Sequence, residues 1–409
     1  MSNIGIIAEY NPYHNGHKYL VKNAIKETDA DGVIALMSGN FIQRGAPAMA
    51  DKYSRAEAAV RGGIDIVFEL PVIYATSSAR DFANGAIAML SSIKNIDYVA
   101  FGVEDMETSL FFEIADILAN EPEEYKNLLN EYLAKGNSYP SASEKAIKKI
   151  LGTSIGQIIS KPNNILGISY ISALIKQKSH IKPILIERCD SGYNSAELTG
   201  NYASATAIRN AIMNNTSIRP YIPKVCVKPY EEYFSKPLSD ITWLTPYIAS
   251  RMIYDRNLPH EISNLEGVMD MTEEILNRLR KAPLPIKYIE LADFLKTKNI
   301  TMTRVSRVLL HMVLGILTED RELALNNGYA KYLNLLAFKG DKSSLLKSIS
   351  MNTELSVINK KANYKPQSEL GQRLWEMDKL ATDLYNQLVY DNLNIRLHSE
   401  LTCTVRKVN

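Results

Sequence analysis

Two histidines stand three residues apart in the run Glu9-Tyr10-Asn11-Pro12-Tyr13-His14-Asn15-Gly16-His17, after the apolar stretch Ile4 to Ala8 and before a helical pattern, Lys18 to Lys26. A turn from a strand into a helix offers unpaired backbone N–H groups and the positive end of the helix dipole, and both suit phosphate oxygens. Gly16 lets the backbone come close to a ligand. Imidazoles at this spacing can share one polyphosphate and donate hydrogen bonds where charge grows on a leaving pyrophosphate. The plainer reading makes His14 and His17 turn caps or satisfied core residues; the position after the first strand favours the phosphate reading. Metalloprotease histidine pairs sit at i, i+4 on an established helix with Glu between them, so no metal site is assigned here.

A second constellation, Ser204-Ala205-Thr206-Ala207-Ile208-Arg209, opens a later helical pattern. Two hydroxyls and a guanidinium at a helix start make a phosphate clamp; alone, they would equally be an ordinary N-cap followed by a solvated arginine. Cys189 has no partner base in the sequence and reads as a small filler.

The elements that must position these residues follow from the hydrophobic pattern. Short apolar runs at Ile4 to Ala8, Val33 to Met37, Ile64 to Leu70 and Tyr98 to Phe101 alternate with helical patterns at Lys18 to Lys26, Tyr53 to Val60 and Phe82 to Leu90. That rhythm predicts a Rossmann-like, doubly wound parallel α/β sheet. Residues 106–151 read as helices inserted between units of the sheet, after which a helix at Ile165 to Ile175, a strand at Ile181 to Ile186 and a helix at Ala203 to Met213 resume it. Pro223, Pro229 and Pro237 then punctuate the chain. Helices are expected at Ile262 to Arg280, Ile286 to Lys296, Arg304 to Leu317 and Glu369 to Val389, with a strand at Tyr329 to Phe338. Two units are therefore expected: 1–228, which carries both phosphate constellations and with them the nucleotide chemistry, and 229–409, a mainly helical one long enough to clasp a folded RNA.

Bulk properties exclude more than they select. The 409 residues carry a formal net charge of +2, so nucleic-acid binding would need a local basic face. Three distant cysteines, without paired spacing, argue against a disulfide framework or a zinc site. The N-terminus lacks the basic and apolar regions of a signal peptide, and no apolar run approaches the ~18 residues that span a bilayer, so the expected location is the cytoplasm, with no membrane. No protein partner is inferred.

The runs Gly5 to His17, Met37 to Gly45, Phe101 to Glu104, Pro162 to Ile168 and Ser204 to Arg209, in that order, resemble the tRNA(Met) cytidine acetate ligase family, within the superfamily of nucleotidyltransferases with HIGH-type signatures. The resemblance implies a two-step reaction. Acetate and ATP, with Mg2+ accompanying the nucleotide, give acetyladenylate; the acetyl group then passes to the wobble cytidine of elongator tRNA(Met). His14, His17, Ser204, Thr206 and Arg209 would be catalytic. ATP contacts would fall on Ile7, Ala8, Glu9, Tyr10, Asn11, Pro12, Tyr13, His14, Asn15, Gly16, His17, Lys18, Tyr19 and Leu20, and on Gly102, Asn163 and Arg188, with Asn164 an alternative to Asn163. Tyr13 stands where the family often has Phe.

In the loop Ser38 to Gly45, Asn40, Gln43 and Arg44 are candidates for acetate, phosphate or tRNA contacts, with ordinary exposed polarity as the alternative. Lys52 and Arg55 read as surface charges. Arg304, Arg307 and His311 on one helix, and Arg278, Arg280 and Lys281 on another, are either phosphate-binding faces or solvated ones. Two other functions stay open at this point: a small-molecule adenylyltransferase of cofactor metabolism, and a non-catalytic RNA-binding protein regulated by a nucleotide.

Overall fold

The computed structural model describes residues 2–189, 202–214, 216–234, 236, 239–259 and 263–409. Five parallel strands form its centre: β1 (Asn3–Ala8), β2 (Gly32–Ser38), β3 (Ile66–Leu70), β4 (Tyr98–Val103) and β5 (Lys182–Glu187), in the order 3-2-1-4-5. β2 and β3 are buried at every position, which is why they read as continuous apolar runs instead of alternating ones. From β3 the chain crosses to the far side of β1 and lays down β4 there. A crevice opens beyond the carboxyl ends of β1 and β4, where such sheets bind ligands.

The crossovers are helical: α1 (Asn15–Thr28), α2 (Lys52–Arg61), then α3 (Val72–Ala75) and α4 (Ala79–Ser91). The expected insertion comprises α5 (Thr108–Asn120), α6 (Glu123–Ala134) and α7 (Tyr139–Leu151); α8 (Pro162–Lys176) leads to β5, and α9 (Ala205–Met213) follows it.

The boundary expected near residue 229 does not divide the sheet. β6 (Tyr332–Lys339) runs antiparallel beside β3, pairing Ile66 with Phe338, and β7 (Ser356–Ile358) and β8 (Arg406–Val408) pair with opposite ends of β6. The rest of this region is helical, with the long helix Glu369–Leu393 packed against α3, which follows β3. Two helices are shorter than their apolar pattern. One begins only at Glu273, after Asn264 and Asp270 take positive φ, and is capped by Thr272; the other, Met302–Leu314, stops at Gly315, whose φ is 61°. Residues 260–262, where the first was expected to begin, lie outside the described residues.

Lys52 and Arg55 are not surface charges: both are fully buried. The Lys52 ammonium donates to the Glu69 carboxylate at 2.7 Å and pairs with Glu400 at 2.8 Å. Asn334 of β6 donates to both carboxylates at 2.7 and 3.0 Å, and the Thr382 and Tyr53 hydroxyls each donate to Glu400 at 3.2 Å. The cluster joins β3, α2, β6, the long helix and the C-terminal segment. Removing one partner of such a group costs ~3–5 kcal/mol, because it strands a buried charge.

The basic face expected on the helix Met302–Leu314 is also absent. Arg304 donates to the Asp270 carbonyl at 3.1 Å, Arg307 pairs with the Asp270 carboxylate at 3.0 Å, and His311 is fully buried between the carbonyls of Met269 and Thr76. In the second basic group, Arg280 pairs with Asp255 at 3.1 Å and Arg278 donates to the Phe294 carbonyl.

Candidate active site

The residue after β1 begins a tightly held turn. Tyr10 takes a φ of 47°, and a cis peptide joins Asn11 to Pro12. Tyr13 is anchored below: its hydroxyl donates to the Gly62 carbonyl at 2.9 Å, and its N–H donates to the Tyr230 hydroxyl at 3.1 Å. Asn11 is gripped from two sides, with Met49 N–H donating to its side-chain oxygen at 2.8 Å and Arg209 Nη1 donating to its carbonyl at 2.7 Å. The two ATP-type motifs, far apart in sequence, meet at this bond.

His14 caps α1. Its Nδ1 accepts from Gly16 N–H at 3.1 Å, while Nδ1 of His17 accepts from His14 N–H at 3.2 Å. This is a reciprocal capping box in which imidazoles replace the usual hydroxyl and carboxylate. A backbone N–H can only donate, so each Nδ1 is unprotonated and each neutral ring carries its proton on Nε2. The ring centroids are 3.8 Å apart with the planes tilted by 34°. Burial, then His14, then Arg188 push the His17 pKa well below its ordinary value, which keeps that ring neutral. Gly16 is needed because a Cβ there would lie 2.9 Å from Cε1 of His14.

Three further elements close the crevice. Ser204 caps α9, its hydroxyl accepting from Ala207 N–H at 3.0 Å, and Arg209 Nη2 donates to the Thr206 hydroxyl at 3.1 Å. Gly102 on β4 leaves space for the stem of Arg188, whose Cγ would be 3.1 Å from an added Cβ. At the start of α8 the Asn163 amide donates to Glu104 at 2.6 Å. Asn164 is fully buried, accepting from Glu104 N–H at 2.8 Å and donating to Asp105 at 2.7 Å.

These groups surround a cleft of about 1190 Å³, part of it open solvent. Of the residues singled out from sequence, Ile7, Ala8, Glu9, Tyr10, Asn11, His14, His17, Leu20, Gly102, Asn163, Arg188, Ser204, Thr206 and Arg209 line it, as do Gln43 and Arg44. Gly16 and Tyr19 line a smaller adjoining cavity that also reaches Cys189. Pro12, Tyr13, Asn15 and Lys18 line neither: Tyr13 is an anchor, Asn15 donates to the carbonyls of Tyr221 and Pro220, and Lys18 points to solvent. Asn40 is structural, its side-chain oxygen accepting from Lys52 N–H at 2.9 Å.

Sequence reasoning missed Phe82, Phe101, Leu166 and Tyr170, which give the cleft an apolar wall. It also missed the part played by Arg55, whose guanidinium donates to the carbonyls of Glu9, Ser38, Gly39 and Ala50 and so fixes the ends of β1 and β2. Glu9 in turn accepts from Gln43 N–H at 2.9 Å. Phe82 and Tyr170 read as core, and Phe101 and Leu166 were marked only by lying in the runs that carry the family resemblance; Arg55 has the spacing of a solvated helix face. With Arg44, Arg188 and Arg209 around it, and Glu9 its sole carboxylate among the described residues, the cleft favours anions.

Strand order, the crevice at the switch point and the histidine turn define a nucleotidyltransferase of the His-x-Gly-His type. A family model described as HIGH Nucleotidyl Transferase matches residues 1–400. The tRNA(Met) cytidine acetate ligase of Caldanaerobacter subterraneus subsp. tengcongensis is 41% identical over 399 residues, covering 97% of each chain, and that of Acetivibrio thermocellus is 37% identical over 395 residues, covering 94% of each. The apo crystal structure of Thermotoga maritima TmcAL superposes with a TM-score of 0.90 at 27% identity over 100% of both chains; the form bound with alpha-thio ATP gives 0.86 at 28%. The chain belongs to the tRNA(Met) cytidine acetate ligase family.

Proposed function

We propose that the chain is an ATP-dependent ligase that activates acetate as acetyladenylate and transfers the acetyl group to the wobble cytidine of elongator tRNA(Met), giving 4-acetylcytidine. The observation that carries this reading is the pair of Nε2–H imidazoles at the switch-point crevice, joined by Arg209 to the second phosphate motif. Likeness over nearly the whole chain to ligases of that name supports it, and disfavours a small-molecule adenylyltransferase or a silent RNA-binding protein.

In the first step an acetate oxygen attacks the α-phosphorus, and the bond to pyrophosphate breaks. Acetate is already an anionic nucleophile, so positioning and charge neutralisation supply the rate. His14 and His17 donate to phosphate oxygens as charge gathers on pyrophosphate. Ser204, Thr206 and Arg209 hold the phosphates from the opposite side, Gly102 and Asn163 border the nucleoside, and Arg188 adds positive charge. The segment Ile7 to Leu20 gives its contacts through the residues that face the two cavities. In the second step the exocyclic amine of cytidine attacks the acetyl carbon and AMP leaves.

Mg2+ enters with the substrate nucleotide. Among the described residues no group of three or more His, Cys, Asp or Glu side chains could hold a metal ion, and the Mg2+ is held mostly by the nucleotide and water. Residues 1–228 are assigned the nucleotide chemistry, and 229–409 are taken to brace the sheet and share in holding a folded RNA. No described helix is long and apolar enough to cross a membrane, and the reading of ATP and a tRNA as substrates supports a cytoplasmic location.

The test is incubation with ATP, Mg2+ and labelled acetate, with and without methionine tRNA. Pyrophosphate release and label in the RNA are expected. Labelled acetyl-CoA outperforming acetate plus ATP would overturn acetate as the donor.

A further inference from the structure

With net charge only +2, any surface for RNA has to be local, and the helix expected to supply one has its arginines turned to Asp270. The structure offers another. Along α1, Lys18, Lys22 and Lys26 follow one another at four-residue intervals, all three exposed, so they form one stripe on the helix. The exposed Ile25 lies beside them, and Glu27, the sole acidic residue of α1, falls on the side opposite Lys18.

The stretch that crosses the start of α1 extends the stripe. Asn15 N–H donates to the Tyr221 carbonyl at 2.9 Å and its amide to the Pro220 carbonyl at 2.8 Å, which puts exposed Arg219 beside the helix start. Cys226 Sγ donates to the Ala58 carbonyl of α2 at 3.2 Å; burial pushes its thiol pKa up, and the neighbouring Lys18 and Arg61 oppose that rise. Lys224 and Lys228, both exposed, flank that anchor. Arg61 is paired with Glu57 at 2.7 Å, and Glu231 and Glu232 bound the patch beyond Lys228. The other six cations have no ion-pair partner among the described residues. The stripe begins one residue after His17, which lines the cleft.

We propose that this face, formed by Lys18, Lys22 and Lys26 with Arg219, Lys224 and Lys228, docks the phosphate backbone of the folded RNA and delivers its target base to the mouth of the cleft. The inference rests on the reading of a tRNA as substrate. Unpaired surface cations gain little from one another and repel at close range, whereas against a polyanion each releases a condensed counterion. Phosphate contacts of this kind orient an RNA without reading its sequence. Sequence choice is left to groups near the cleft.

The test compares the full chain with a Lys22→Ala/Lys26→Ala/Lys224→Ala variant in binding methionine tRNA across a series of salt concentrations. Loss of three phosphate contacts should weaken binding at low salt and reduce the slope of log affinity against log salt by ~2 to 3. Acetate-dependent exchange of pyrophosphate into ATP, measured without RNA, should match the unaltered protein. If the unaltered protein binds tRNA with a steep salt dependence and the variant reproduces its affinity and slope, this face is not the docking surface and the functional reading stands. If the unaltered protein neither binds nor acetylates tRNA, the functional reading itself fails. A variant that loses exchange as well as binding would show the lysines to be part of the nucleotide site and overturn the proposal.

Discussion

A neutral imidazole donates through one nitrogen, and the use of both Nδ1 atoms as acceptors within the turn decides which one faces the cleft. His17→Ala is expected to slow acetate-dependent pyrophosphate exchange by ~2–4 kcal/mol in activation free energy, as for loss of a donor to developing charge, and to leave tRNA affinity nearly unchanged. Equal exchange rates in the two proteins would remove His17 from the mechanism. The depressed pKa adds a second expectation. The unfolded chain takes up this proton near pH 6.5 and the folded chain does not, so the associated stability is complete above about 6.5 and is lost as pH falls below it. The slope for one proton is at most ~1.4 kcal/mol per pH unit. Denaturant unfolding of the unaltered protein and a His17→Asn variant at pH 7 and 5 should show the smaller change in the variant.

At the scale of elements, what could be read from sequence was what is local. The turn after β1 and the cap of α9 announce themselves because residues three to five positions apart do the chemistry. Lys52 and Arg55 were misread because their spacing is that of a solvated helix face, while the groups that make burial tolerable, Glu400 above all, lie elsewhere in the chain. The same limit applies to Arg304 and Arg307, whose partner Asp270 sits in a bend no periodicity marks. Arg304→Ala/Arg307→Ala should therefore lower the unfolding midpoint and leave the salt slope of tRNA binding intact; a reduced slope would return that helix to the RNA interface. Arg55→Met should be more severe. It leaves the strand-end carbonyls of Glu9, Ser38 and Gly39, and that of Ala50 before α2, without their donor, and buried acceptors so stranded cost ~1–3 kcal/mol each before relaxation. Urea unfolding would check this, a loss under 1 kcal/mol counting against the role given to Arg55.

Across the whole molecule, a doubly wound parallel sheet, though not its strand order, was legible from the rhythm of apolar runs, and the sixth strand was legible as a strand. Its place in the sheet was not, because nothing in the pattern of Tyr332–Lys339 says which edge it joins. That edge belongs to β3, and Lys52, Glu69, Asn334, Thr382 and Glu400 fasten the joint. A Lys52→Met variant should lose ~3–5 kcal/mol, read as a shift in denaturant midpoint. An unchanged midpoint would mean that the joint does not need its charges.

The late arrival of β6 bears on how the protein is made. A ribosome delivers β1 to β5 and both phosphate motifs long before residue 332, and until then β3 presents a bare row of amide and carbonyl groups along an apolar strand. Such an edge invites pairing with a neighbouring nascent chain. The nucleotide half is thus completed only after the helical region that follows it has been made, by a strand that closes the edge as it emerges. A chain truncated after residue 228 would keep every residue proposed to touch ATP and still be expected to aggregate on expression, whereas the intact chain would not.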